Sequence, residues 1–133
     1  MGIFGIIDTS SSGLYVNRKL LDAVSSNIAN INDVVSPDQA AYQEEFVQAA
    51  PNDYGDVGGG ARVTAALFGD STGILVSDPG NPLAQNGLVK RPSEQLSDQM
   101  TNMIIGQRGY EANLSMISRA KDAYEQAIAI GKG

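Results

Sequence analysis

Residues 93–130 read SEQLSDQMTNMIIGQRGYEANLSMISRAKDAYEQAIAI, a run that no proline interrupts. Its larger side chains recur at alternating steps of four and three: Leu96, Met100, Met103, Gln107, Tyr110, Leu114, Ile117, Lys121, Tyr124 and Ile128. That heptad spacing predicts one long helix wound against a partner helix. At ~1.5 Å per residue it would span roughly 55 Å, longer than a compact domain of this size is wide. At about 100° per residue a second stripe forms, roughly 130° round the axis. It consists of Ile105, Gly109, Ala112, Met116, Ala120, Ala123, Ala127 and Ile130, while Arg108, Glu111, Arg119, Asp122 and Glu125 occupy the sector left over. An ordinary surface helix has one apolar face. This one has two, and the small residues of the second would let another backbone come close. Covering both inside a compact bundle takes three or four comparable helices; the sequence supplies one.

That one lies at the other end. Ile3, Ile7, Ser10, Leu14, Asn17, Leu21, Val24, Ile28 and Ile31 follow the same alternating steps. Ser10-Ser11-Ser12-Gly13 weakens the middle, because serine and glycine favour caps and turns, so either a break or a helix held by packing is expected there. Leu14, Leu21, Val24 and Ile28 are expected to meet Met103, Tyr110, Leu114, Ile117, Tyr124 and Ile128 along an intrachain seam, leaving the small-residue stripe for another chain. Asn17, Gln107 and Lys121 interrupt the seams, as register-setting polar residues do in coiled coils. The asparagines from Asn27 to Asn32 suit a helix stop in the left-handed conformation.

Between the helices the composition shifts. All five prolines lie between positions 37 and 92. Residues 42–48, 61–68, 73–77 and 87–90 read as short strands, and Asp78-Pro79-Gly80-Asn81-Pro82 as a turn. Residues 52–60, ending in three glycines, read as a mobile loop. The expected fold is α+β and elongated: terminal helices paired as a coiled coil (1–33 with 93–133) and a small β-rich middle module (34–92).

Composition excludes much. The 133 residues carry a formal charge of −6, with no histidine and no cysteine. Nucleic acid is a poor partner for such a chain, and the commonest general base, thiolate nucleophile and metal ligands are missing. No apolar run is long enough to cross a bilayer, so direct membrane insertion is not expected. The glycines from Gly55 to Gly60 lack the lysine and serine or threonine of a phosphate loop. Asp53 and Asp56 lack calcium-loop spacing. Glu44 and Glu45 would point to opposite faces of a strand. Neither a catalytic residue nor a cofactor or metal site is expected.

Three stretches carry a resemblance. Ser26-Asn27-Ile28-Ala29-Asn30 resembles the asparagine-rich signature of bacterial flagellar axial proteins. The stretch from Val76 through Asp78-Pro79-Gly80-Asn81-Pro82 to Ala84, followed by Gly87-Leu88-Val89-Lys90-Arg91-Pro92, is similar to the middle signature of the proximal rod members. Met100 to Met103 and Arg108-Gly109-Tyr110-Glu111-Ala112-Asn113 resemble their C-terminal helix. Asn32-Asp33-Val34-Val35 departs from the Thr and Gly usual after the first motif. The resemblance implies a non-enzymatic subunit of the basal-body rod, partnered by copies of itself, other rod proteins and the flagellar type III export apparatus. It implies export without a cleaved signal into a shaft crossing the periplasm, the small-residue stripe touching neighbouring subunits in a torque-bearing helical array. It further suggests that Asn27, Asn30 and Asn113 hydrogen-bond across helices or between chains. Another axial subunit, or a cytosolic coiled-coil adaptor, is the alternative.

Overall fold

A computed structural model describes residues 2–54 and 57–131. Helix α1 (Ile3–Asn30) is followed by strands β1 (Glu45–Tyr54), β2 (Val57–Phe68), β3 (Ile74–Ser77) and β4 (Leu88–Arg91), then helix α2 (Leu96–Gly131). The class is α+β: two terminal helices bracket a middle built from two antiparallel two-stranded sheets.

The helices lie antiparallel. The Phe4 and Tyr124 rings meet edge to face with centroids 5.7 Å apart. Further along, Gly13 opposes Asn113, Asn17 opposes Gly109, Leu20 and Leu21 oppose Gly106, and Asn27 reaches Gln99. Each four-residue step up α1 is thus matched by about four residues back along α2.

α1 runs unbroken through Ser10-Ser11-Ser12-Gly13. Propensity alone argues against this, since Gly2 supplies no side-chain cap and the first turn has no acidic residue; two glycines and four hydroxyl residues add a few kcal/mol of penalty relative to alanine, on the order of 4. Packing outweighs it: Ser10 is buried, and Ser12 Oγ donates to the Thr9 carbonyl at 2.6 Å. At the other end no asparagine turns left-handed. The capping residue is Ile31 in the right-handed region (φ −61°). Asn30 Nδ2 bonds back to the Ser26 carbonyl at 2.8 Å, and bonds of Ile31 to Ile28 and Asp33 to Asn30 tighten the last turn.

Strands β1 and β2 form one long hairpin, from Glu45 opposite Phe68 to Tyr54 opposite Val57. It lies along α1, base near Asn27 and far end near Ser12. Residues 52–54 and 57–60 are therefore strand and not the expected loop; 55 and 56 fall outside the described residues. One glycine there serves close approach. Gly60 has φ +74°, and a side chain on it would overlap Ser12 Oγ and come within 3.2 Å of the Thr9 Cα.

Strands β3 and β4 pair from Ile74 opposite Arg91 to Ser77 opposite Leu88. Val35 adds a third, short rung, exchanging bonds of 2.8 and 2.9 Å with Lys90. Asn81 builds the intervening turn: its amide nitrogen donates to Asp78 Oδ2 at 3.0 Å, and its Oδ1 accepts from Leu83 N at 3.0 Å. Asn86 (φ 53°) and Gly87 (φ 76°) then close a two-residue hairpin turn. Burial is sparse and concentrated where α1 ends, the middle begins and α2 starts: Ala23, Val24, Asn27, Ile31, Ala41, Val89 and Gln99.

Candidate functional site: an amide hub and two exposed flanks

The most connected side chain is Asn27, buried on the last full turn of α1. Its Oδ1 accepts from Glu45 N at 2.9 Å and from the Tyr42 hydroxyl at 3.1 Å. Its Nδ2 donates to the Glu45 carbonyl at 3.0 Å and to Gln99 Oε1 at 3.1 Å. Two donors and two lone pairs are all used, the full capacity of a carboxamide. Towards β1 the amide behaves as a neighbouring strand would, engaging both polar groups of one residue. Because the Tyr42 hydroxyl spends its proton on Asn27, Ser26 Oγ donates in the 3.0 Å Ser26–Tyr42 bond. Gln99, 1 % exposed, passes the network to Glu44 through Nε2. One asparagine thus joins α1, the middle and α2.

A second feature repeats. Gly13 and Asn17 stand one turn apart on α1, Gly109 and Asn113 one turn apart on α2. Each asparagine donates to the carbonyl of its own glycine at 2.8 Å and fills the space left by the other helix's glycine. A Cβ on Gly13 would lie 2.5 Å from Asn113 Oδ1, and one on Gly109 would overlap Asn17 Oδ1. The two contacts are reciprocal and hold the helices too close for larger residues.

These contacts move the expected seam. On α2 the buried or half-buried positions are Gln99, Asn102, Met103, Gly106, Gly109, Tyr110, Asn113, Ile117 and Ala120. Met103, Tyr110 and Ile117 were expected there; Leu114 (52 % exposed), Tyr124 (43 %) and Ile128 (40 %) are largely open, although Tyr124 touches Phe4. On α1, Val24 is buried and Leu14, Leu21 and Ile28 are half-buried. Alternate seam positions on α2 go to Gln99, Gly106, Asn113 and Ala120 because close backbones leave room for small or amide groups, not leucine.

The small-residue stripe is corrected in part. Gly109 faces Asn17, and Ala120 is buried within the chain, so neither is free for a neighbour. Ile105, Ala112, Met116, Ala123 and Ala127 remain exposed, and Ile130 is 82 % open. On the opposite flank Leu96, Met100 and Ile104 are about half exposed as well.

The other motif residues divide. Asn30 and Asn113 each donate to a carbonyl of their own helix; Ala29, Pro79, Gly80 and Pro82 are exposed, with Asn81 half-buried in the turn. Sequence reasoning missed Gln99, Tyr42, Ser26 and Gly13. The repeated Gly-x-x-x-Asn spacing was the available signal for the last of these. Among the described residues no acidic cluster could hold a metal, and no helix is long and apolar enough to cross a membrane.

The chain matches, over residues 95–130, the family described as flagellar basal body rod FlgEFG protein C-terminal. It is 32 % identical to the flagellar basal-body rod protein FlgC of Salmonella typhimurium across 99 % of this chain and the whole relative. The Borreliella burgdorferi FlgC is likewise 32 % identical, across the full length of both chains. The Bacillus subtilis FlgC is 28 % identical over 99 % of this chain and all of the relative.

Proposed function

The chain belongs to the FlgC family of flagellar basal-body rod proteins, and from that premise we propose how its helix pair builds a rod. It is a structural subunit of the basal body; that role requires contact surfaces and not a reaction. The observation that carries the mechanism is the double flank of α2. Facing α1 consumes one side, yet Ile105 and Met116 on one flank and Met100 and Ile104 on the other stay open.

In this reading the helices (1–33 with 93–133) wind as a coiled coil and form the inner layer of a helical tube, with residues 34–92 outside. The seam pairs Leu14, Leu21, Val24 and Ile28 with Met103, Tyr110 and Ile117. Neighbouring copies, or other rod proteins, cover Ile105, Ala112, Met116, Ala123 and Ala127. A head-to-tail contact that does not close into a ring extends into such a filament, and close-packed helices suit a shaft that transmits torque across the periplasm. Delivery is through the flagellar type III export apparatus, without cleavage of the start.

Purified basal bodies test this. The protein is expected in the rod fraction, and Ile105→Ser with Met116→Ser is expected to leave the free chain folded while rods fail to form. Intact rods built from that variant would overturn the assignment of the flank; a discrete soluble dimer by light scattering, with rods unaffected by its loss, would favour a cytosolic adaptor.

A further inference from the structure

We propose that the β1–β2 hairpin is a splint for the N-terminal half of α1: residues 3–13 are helical because the hairpin is docked, and they melt as a unit when it lifts. Three observations converge. The segment is poor helix material, with Gly5, Thr9, Ser10, Ser11, Ser12 and Gly13 in a span without a cap or an acidic first turn. Its last hydroxyl is engaged from outside the helix, since Ser12 Oγ accepts from Ala61 N on β2 at 3.0 Å while donating to the Thr9 carbonyl. And the strand comes down on that turn without a side chain between, because Gly60 sits over Ser12 and Thr9.

The other half of α1 is held differently. Asn27, Ala23 and Val24 are almost wholly buried, and the Asn27 network ties that half to α2 and to the base of the hairpin. The helix is therefore built in two stretches of unequal strength, joined at Gly13. The strong stretch is fixed by amides and burial. The weak one depends on a ribbon that is itself a lone two-stranded sheet and marginal without a surface beneath it. Each holds the other: α2 also meets this stretch at Phe4 and Gly13, and the docked hairpin is the element that sets whether residues 3–13 are ordered.

Hydrogen exchange on the full chain tests the splint. In the wild type, amides from Ile7 to Ser12 are expected to be protected. Ser12→Ala, which removes the acceptor without touching strand pairing, is expected to speed their exchange about tenfold, the effect of losing one part-buried hydrogen bond, with residues 14–30 unchanged. Gly60→Ala is expected to do so more strongly. Thr64→Ala, on the exposed face of the same strand, is expected to leave the segment protected. Free exchange of residues 7–12 in the wild type, no change in Ser12→Ala, or equal acceleration along the whole of α1 would each overturn the proposal.

Discussion

Asn27 shows how much one residue holds when every polar atom is matched. Replacing it with alanine strands the backbone N–H and carbonyl of Glu45 and Gln99 Oε1, and takes one of two partners from the Tyr42 hydroxyl. Unpaired buried groups cost about 1–3 kcal/mol each, partly relieved by water, so Asn27→Ala is expected to lower unfolding free energy by about 2–4 kcal/mol in urea titration. The Gly–Asn contacts make a sharper prediction. Gly109→Ala gains about 1 kcal/mol of helix propensity, yet its methyl meets Asn17, and overpacking costs about 1–3 kcal/mol. Net destabilisation is expected, and adding Asn17→Ala should recover most of it; a coupling below about 0.5 kcal/mol in the double-mutant cycle would deny the contact. Asp70 gives a pH test. The Thr72 hydroxyl first, and then the Thr72 backbone N–H, hold its carboxyl below the ordinary aspartate range. A depressed folded value means that the stability tied to these bonds is complete above the unfolded pKa and is lost as pH falls through the folded one. A carboxyl titration by NMR should place the Asp70 midpoint below that of the unfolded chain, and Thr72→Val should raise it.

The elements differ in how plainly the sequence showed them. Helix α2, expected over 93–130, spans Leu96–Gly131, because a proline-free periodic run leaves little choice. Strands β3 and β4 were also visible, bounded by turn residues whose chemistry is local. The β1–β2 hairpin was half hidden: glycines at 58–60 signal a loop when a chain is read alone, whereas Gly60 marks a close approach to the α1 beneath it. The seam of α2 was displaced by about one residue at alternate positions for a related reason. A periodicity count rewards large apolar residues, whereas the contact made here favours Gly106, Asn113 and Gln99. Gln99 itself carried no signal, since a single glutamine on a helix usually faces water. Beyond Ala120 every described residue of α2 is exposed. Removing residues 121–133 should cost the free chain the Phe4–Tyr124 pair, about 0.5–1.5 kcal/mol beyond its area burial, and the partial burial of Tyr124 and Ile128, on the order of 2 kcal/mol, read by thermal unfolding; the exposed Lys121–Glu125 bridge adds little. Rod assembly, scored in basal-body preparations, should be lost.

At the scale of the whole molecule, the first element closes on the last. Asn27 and Gln99 are 72 residues apart in sequence, and the Gly13–Asn113 contact spans still more of the chain. Contacts of such separation form late, after the loop between them has been closed. The α+β class was legible because both ends carried helical periods and the middle did not. The sidedness of the middle was not, since nothing local says that a hairpin will lie along α1. There is a consequence for fidelity. A polypeptide cut short anywhere before position 99 has no amide to answer Asn27 and no second helix to receive α1. A copy that stops short of α2 therefore cannot close α1 upon it, and the antiparallel closure of head upon tail ties the shape of the first helix to the presence of the last.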